Sequence, residues 1–343
     1  MNQDKIKVLI VDDSGIRREM LKHILNSDGE IEVIATAKDG KDGLDKTLAL
    51  SPDVITIDVN MPVMNGFDTI NAIMQQKPTP IIVVSSIEVK TVVKALSIGA
   101  MDFVSVSQEL GDIVQELCAK VKIASRVRPL RRIDISHYQT SPPPFDKGEQ
   151  RLIAIGASTG GPAALQQLLP FLPKDLPAAV LVVQHIASGF IQELANFLRT
   201  GAELAMVVAR KGDVIENGKV YFAPDDVNMI VNSQKRIDLV NTADTDSPFK
   251  PSIDVMMRSA AEVYGCHAVG IILTGMGRDG ALGIKAIRQS GGATIAQDES
   301  TSVIYGMNKI AVDNGDIDVV LPLNRITNEI VQLCHRQAYA VKS

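Results

Sequence analysis

The stretch "RLIAIGASTGGPAAL", residues 151–165, sets the architecture of the second half of the chain. "LIAI" (152–155) is an unbroken apolar run of strand length, "GASTGG" (156–161) is a turn, and "PAAL" (162–165) opens a helix. Proline is tolerated in the first turn of a helix because the N–H it lacks has no intrahelical partner there. A continuous apolar strand that turns directly into a helix is the unit of a parallel sheet covered on both faces. The unit recurs at "AVLVVQ" (179–184), "AVGIIL" (268–273) and "ATIAQ" (293–297), each with a helix expected after it. A segment rich in strand signals, "GKVYFAPDDVNMIVNSQKRIDLV" (218–240), interrupts the series and predicts a hairpin or two. Residues 151–343 therefore read as a Rossmann-like parallel α/β domain with a small antiparallel insertion.

The same alternation fills the N-terminal part. Apolar runs at 8–11, 54–57 and 81–84, with "EVIATA" (32–37) and an edge strand "DFVSV" (102–106), alternate with helix-length segments at 15–26, 40–50, 66–77, 88–99 and 108–124. Five such units over residues 1–124 predict a small doubly wound (βα)5 domain. Residues 125–150 join the two halves. This stretch has four arginines between 126 and 132 and Ser-Pro-Pro-Pro at 141–144, with too few apolar residues for a core, and reads as a proline-stiffened linker.

Composition narrows the function classes. The chain has 343 residues, a net charge of −5 and 45% hydrophobic residues. Two domains are expected at roughly 100–200 residues each, and nucleic-acid binding is not, since that asks for a basic domain or stripe. Cys118, Cys266 and Cys334 lie far apart, without metal-ligand spacing, and read as reduced thiols. The N-terminus has no signal-peptide or transit-peptide pattern. No run approaches the roughly 20 apolar residues of a membrane span. A cytoplasmic protein without membrane insertion is expected.

Open α/β sheets place their sites at the carboxyl ends of strands. Asp12 and Asp13 end the first strand and Asp58 the third. Asp13 also reads as a helix cap, being placed just before "SGIRREMLKHIL". Three clustered carboxylates repel one another unless a cation neutralises them, and Mg2+ suits a site of one or two carboxylates plus water and phosphate. A carboxylate can also carry a phosphoryl group as an acyl phosphate. Ser85 closes the fourth strand, where its hydroxyl is placed to bond a phosphate on Asp58.

The turn at 156–161 has two chemical readings. As a phosphate cradle it lacks the third glycine of a dinucleotide fingerprint, where Ser158 stands, and the lysine of a P-loop, where Pro162 stands. As a nucleophile turn, "GASTG" (156–160) matches Gly-x-Ser-x-Gly between a strand and a helix. A serine needs a base. Of His23, His137, His185, His267 and His335, only His185 follows directly on a predicted central strand at the edge that carries Ser158. A serine–histidine pair needs an orienting carboxylate. Asp279, in the glycine-rich loop of "IILTGMGRDGALG" (271–283), and Asp298, in "ATIAQDES" (293–300), compete for that place. Loop amides near Met276 are candidate oxyanion donors.

"VLIVDDS" (8–14) and "TIDVNMPVMNGFD" (56–68) resemble the receiver domain of response regulators. That resemblance implies phosphorylation of Asp58 by a sensor histidine kinase, and Mg2+ held by Asp13, Asp58 and the Asn60 carbonyl with Asp12 in support. It implies Ser85 and Phe103 as switch residues. Val106 and Ser107 stand where receivers usually carry Lys-Pro, which predicts a weakened or rewired switch.

"IGASTGGP", "QHIASGF", "FAPDDVNM", "KPSIDVMMRSAA", "LTGMGRDGA" and "AQDESTSVIYGM" resemble the catalytic domain of the chemotaxis methylesterase (CheB) family. This implies Ser158 as nucleophile, His185 as general base and acid, Asp279 as orienter and the Met276 N–H as oxyanion donor. It also implies chemoreceptor cytoplasmic domains as substrate, with release of methanol from γ-glutamyl methyl esters and deamidation of glutamines by the same acyl chemistry. No cofactor is expected for the esterase chemistry. Asn228 and Asn308 replace a frequent histidine and proline, and are expected to bear on substrate contacts. Two other readings remain: a receiver-controlled binding module without catalysis, and an esterase of the same build acting outside chemotaxis.

Overall fold

The computed structural model describes residues 5–85, 89–105, 110–127, 150–241 and 248–335. Val106, Ser107, His137 and most of the arginine- and proline-rich linker lie outside them. The chain divides into two compact units, residues 1–132 and 133–343.

The first unit runs β1 (Ile6–Val11), α1 (Gly15–Ser27), β2 (Ile31–Ala37), α2 (Gly40–Leu50), β3 (Val54–Ile57), α3 (Gly66–Gln76), β4 (Ile81–Ser85), α4 (Val89–Ser97), β5 (Asp102–Ser105) and α5 (Leu110–Ala124). Its five strands are parallel in the order β2-β1-β3-β4-β5. Residues 8–11 of β1 and 81–83 of β4 are fully buried, as expected of strands covered on both faces. Each such Val, Ile or Leu contributes about 1.5–3 kcal/mol of burial. The cap of α1 is Ser14, whose Oγ accepts from the Arg17 amide at 3.3 Å. Asp13, expected as a cap candidate, instead projects at the surface. The hydroxyl one residue further on already meets the free helix amide, which leaves the Asp13 carboxylate available to the strand-end cluster.

The second unit is built on seven parallel strands in the order β14-β13-β12-β6-β7-β9-β8. These are β6 (Arg151–Ala157), β7 (Ala178–Gln184), β8 (Ala205–Val208), β9 (Lys219–Phe222), β12 (Ala268–Ile272), β13 (Ala293–Gln297) and β14 (Val319–Leu321). Helices α6 (Gly161–Leu168), α7 (Ile191–Arg199), α8 (Ile253–Tyr264), α9 (Ala281–Gln289), α10 (Met307–Asp313) and α11 (Leu323–His335) cover it. The antiparallel insertion pairs β10 (Asn228–Val231) with β11 (Ile237–Val240), and an isolated antiparallel bridge joins Val214 to Arg236. The front of the 218–240 segment behaves differently from the expected hairpin: β9 enters the main sheet and pairs in parallel with β7 and β8. Its residues Val220, Tyr221 and Phe222 are fully buried, which a place inside the sheet provides and an exposed hairpin does not.

β6 lies at the middle of this order, between β12 and β7. Its carboxyl end, and those of its two neighbours, carry Ser158, His185 and the 273–280 loop.

Candidate active site and phosphoacceptor site

Ser158 stands one residue past β6 and is half-buried. Its amide donates to the Thr274 carbonyl at 3.1 Å, and its carbonyl accepts from the Gly161 amide at 2.8 Å, closing the turn into α6. Its Oγ makes no hydrogen bond among the described residues. The Gly275 backbone runs directly against it: a Cβ on Gly275 would stand 2.7 Å from the Ser158 Cβ, so only glycine fits. The Met276 side chain is exposed, and its amide follows immediately on this contact.

His185 stands one residue past β7, with its amide donating to the Ala157 carbonyl at 2.9 Å. Its ring Nε2 lies 2.9 Å from Asp279 Oδ2. The Phe249 ring stacks on it with centroids 5.2 Å apart and planes 14° from parallel. Of the two competing aspartates, Asp279 is the one that His185 meets. Asp298 is occupied in its own turn, its Oδ1 accepting from the Thr301 amide at 2.9 Å and its Oδ2 from Ser300 Oγ at 2.7 Å.

Asp279 is buried at the N-terminus of α8, where free amides and the helix dipole favour negative charge. Its Oδ1 accepts from Ser252 Oγ at 3.0 Å and from the amides of Asp254 and Gly280 at 3.0 and 3.1 Å. Its Oδ2 accepts from His185 and from the Ile253 amide at 2.8 Å. Burial alone would raise its pKa, but the His185 bond and the α8 amides outweigh it and hold the carboxylate below its usual range. Asp254, in the first turn of α8, reciprocates by accepting from the Gly280 and Gly283 amides at 2.9 and 2.7 Å, which caps α9. Burial raises the Asp254 pKa, so the two neighbouring carboxylates are pushed in opposite directions.

Asn228 and Asn308 are both fully buried. Asn228 Oδ1 accepts from the Ser252 amide at 2.8 Å, and so supports Asp279 through Ser252. Asn308 Nδ2 donates to the Gln297 carbonyl at 3.0 Å and to Ser302 Oγ at 2.9 Å.

Gln184, one residue before His185, was not singled out in the sequence. Its Nε2 donates to the carbonyls of both Ser158 and His185 at 2.8 Å each. Two acceptors fix the amide orientation, so Oε1 faces Gly161. A Cβ on Gly161 would stand 1.9 Å from that oxygen. Gly161→Ala is therefore expected to displace Gln184 and loosen both site residues. Turnover should fall about 10- to 100-fold with a stability loss of about 1–3 kcal/mol. Steady-state kinetics and urea unfolding check both, and wild-type turnover would show that the Gln184 clamp does not position the pair.

In the first unit the expected carboxylates meet. Oxygens of Asp12, Asp13 and Asp58 all lie within 4.8 Å of one another. Asp12 and Asp58 are buried. Ser85 Oγ donates to Asp58 Oδ1 at 2.7 Å, and the amides of Val59 and Asn60 approach the same oxygen at 2.7 and 3.4 Å. Phe103 lies on β5, half-buried, with Lys120 Nζ 5.2 Å from its ring centroid. Lys94 sits over Phe67 at 4.2 Å.

The cation in this cluster is Arg17, which the sequence reading passed over. Its Nε donates to Asp12 Oδ1 at 3.1 Å, and its Nη2 reaches Asp58 Oδ2 and Asp13 Oδ1, the latter at 3.3 Å. Asp12 Oδ2 also lies 2.9 Å from Arg17 Nε but off its N–H axis, and so accepts no hydrogen bond. Burial disfavours the guanidinium charge, but Asp58 and Asp12 outweigh it. Asp12 in turn is raised by burial, against the Ser14 amide and Arg17. A converging set of hard oxygens with one buried oxygen lacking a donor fits Mg2+.

Comparison with known proteins agrees with this division. The CheB methylesterase family matches residues 153–330, and the response regulator receiver domain matches residues 8–117. A protein-glutamate methylesterase/protein-glutamine glutaminase of Pyrococcus horikoshii is 41% identical, over 96% of this chain and 93% of its own. Another so named, from Sulfurimonas denitrificans, is 40% identical over 96% of this chain and 98% of its own. The crystal structure of the Thermotoga maritima CheB methylesterase catalytic domain superposes with a TM-score of 0.52 at 36% identity, over 54% of this chain and all of that one. With the matched blocks spanning both the Ser158–His185–Asp279 edge and the Asp58 cluster, the chain belongs to the CheB methylesterase family and carries a response regulator receiver domain in front of its methylesterase domain.

Proposed function

We propose that this chain is a phosphorylation-regulated serine esterase that hydrolyses glutamate γ-methyl esters on chemoreceptor cytoplasmic domains and deamidates receptor glutamines. The observation that carries the reading is the 2.9 Å bond between His185 Nε2 and Asp279 Oδ2 at the sheet edge that holds Ser158. Asp279 keeps the proton on Nε2, which leaves the Nδ1 lone pair as the base. Ser158 Oγ attacks the ester carbonyl carbon and its proton passes to His185. The C–O bond to methoxide breaks, methanol leaves with that proton, and a glutamyl–Ser158 ester remains. Water, deprotonated by His185, then attacks the acyl carbon and returns Ser158 with free glutamate. The Met276 amide is assigned to the developing oxyanion.

The domain limits we assign are 1–124 for the receiver, 125–150 for the linker and 151–343 for the esterase. A sensor histidine kinase supplies the phosphoryl group to Asp58, Ser85 and Phe103 report it, and Val106 leaves that switch without its usual lysine. Asp12, Asp13, Asp58 and the Asn60 carbonyl would hold Mg2+, which neutralises charge during phosphoryl transfer. Among the described residues no helix is long and apolar enough to cross a membrane. The cytoplasmic face is where the kinase and receptor substrates would be met.

The test is methanol release from methylated receptor membranes by full-length wild type and Asp58→Asn, each with and without a small phosphodonor and Mg2+. Wild type is expected to release methanol, faster with phosphodonor, and Asp58→Asn to show no such rise. Equal stimulation of both proteins would remove Asp58 as the phosphoacceptor. No methanol under any condition would favour the binding-module reading.

A further inference from the structure

Arg17 occupies the position a divalent cation would need. Its guanidinium spans all three carboxylates of the strand-end cluster, and its Nη2 bonds the Asp58 oxygen that Ser85 leaves free. We propose that Arg17 is a tethered counter-cation of the receiver that competes with Mg2+ for the Asp12–Asp13–Asp58 cluster and so sets the metal concentration at which the receiver becomes competent. The inference rests on reading this cluster as the receiver's divalent-cation site.

Three features make the arrangement an exchange rather than a fixed salt bridge. The cluster is too small for two cations. Its oxygens lie within 4.8 Å of one another, while Mg2+ demands oxygens at about 2.0–2.1 Å in near-octahedral geometry, leaving no room for Nη2 among them. Arg17 can leave cheaply. It lies in the first turn of α1 with its side chain 26% exposed, so rotation of its side chain carries the charge into water while the Ser14 cap stays in place. The loop does not depend on Arg17 for its shape. Arg18 Nη1 donates to the carbonyls of Asp12 and Asp13 at 2.7 and 3.1 Å, and the Ser14 amide donates to Asp12 Oδ1 at 2.7 Å. The carboxylates therefore stay gathered when the guanidinium departs. Without either cation their mutual repulsion is uncompensated, so in the wild type the departure of one cation favours the arrival of the other.

The experiment titrates full-length protein with Mn2+, reading the free ion by electron paramagnetic resonance, for wild type, Arg17→Ala, Arg17→Gln and Arg17→Ala/Asp12→Asn. Both single variants are expected to bind Mn2+ about ten-fold or more tightly than wild type, because a unit charge within bonding distance is removed. Arg17→Gln keeps a polar side chain without charge, so a gain in both variants assigns the effect to charge. The metal-free melting temperature of the single variants should fall below that of wild type and recover with Mg2+, as linkage requires. Unchanged or weaker Mn2+ affinity in both single variants overturns the proposal. A gain that survives Asp12→Asn also overturns it, since the ion then sits elsewhere. Phosphoryl label on Asp58, measured on the same samples, reports separately. Label without an affinity gain removes Arg17's role and leaves the phosphoacceptor reading standing. An affinity gain without label does the reverse.

Discussion

Ser158→Ala is expected to lower methanol release by about 10^4-fold or more, the loss seen when the nucleophile of a serine–histidine–aspartate set is removed, while changing stability by less than about 0.5 kcal/mol. The two halves of this prediction come from the same geometry. Ser158 Oγ makes no hydrogen bond among the described residues, so deleting it leaves no partner unsatisfied. The turn is held by backbone bonds, from the Ser158 amide to Thr274 and from the Gly161 amide to Ser158, which alanine retains. The Cβ that packs against Gly275 is retained as well. A side chain that holds up nothing and is surrounded by glycine backbone has a chemical use or none. Methanol assay and urea unfolding of the same preparation measure both quantities. A variant within ten-fold of wild type would place the nucleophile elsewhere. A fluorophosphonate label on wild type and not on the variant would separate an activated serine from a merely accessible one.

The first sheet and strands β6, β7, β12 and β13 of the second were legible because each carries a short apolar run with a helix soon after it, whereas the short edge strands β8 and β14 carry too little of that pattern and were not read. β9 was misplaced because "KVYF" (219–222) carries the same local pattern as the hairpin behind it. Its parallel pairing with β7 depends on contacts that no local period records. Ser158 and His185 were legible because both sit directly at strand ends, where the fold presents them by position alone. The residue pattern alone left Asp279 and Asp298 in competition, and only the family resemblance pointed to Asp279. Both lie in turn-forming loops beyond strands, and what separates them is that the α8 N-terminus, some 26 residues earlier in sequence, arrives at Asp279. Gln184, Phe249 and Ser252 were missed for the same reason, since each acts across a long separation. Arg17 was the one omission with a local signal. It stands four residues after Asp13 on the first turn of α1, a spacing that brings opposite charges together. The usual reading of such an arginine is a solvated helix face; the strand-end carboxylates draw it inward instead.

Asp279→Asn should cost turnover about 10^3- to 10^4-fold and, unlike Ser158→Ala, should also destabilise the protein by about 2–4 kcal/mol. The carboxylate oxygens receive five donors: His185 Nε2 and the Ile253 amide on Oδ2, and Ser252 Oγ with the Asp254 and Gly280 amides on Oδ1. An asparagine must turn its NH2 toward one of these groups, so either orientation sets donors against donors in a buried site. If the NH2 faces His185, the ring accepts through Nε2 and carries its proton on Nδ1, which removes the base from Ser158. If it faces the other way, the Asp254 and Gly280 amides and the Ser252 hydroxyl lose their acceptor. The pH dependence follows from the direction of the Asp279 shift. Its folded pKa is held below the ordinary value of about 3.9. The stabilisation it supplies is therefore fully present above that value and is lost as pH falls through the depressed folded value. The stability gap between wild type and Asp279→Asn should be constant from pH 7 down to about 5 and should narrow below about 4. Chemical denaturation across that range measures it. A gap that widened in acid would mean that Asp279 is not the charged acceptor of the α8 amides, and an activity loss below ten-fold would mean that His185 keeps its working tautomer without it.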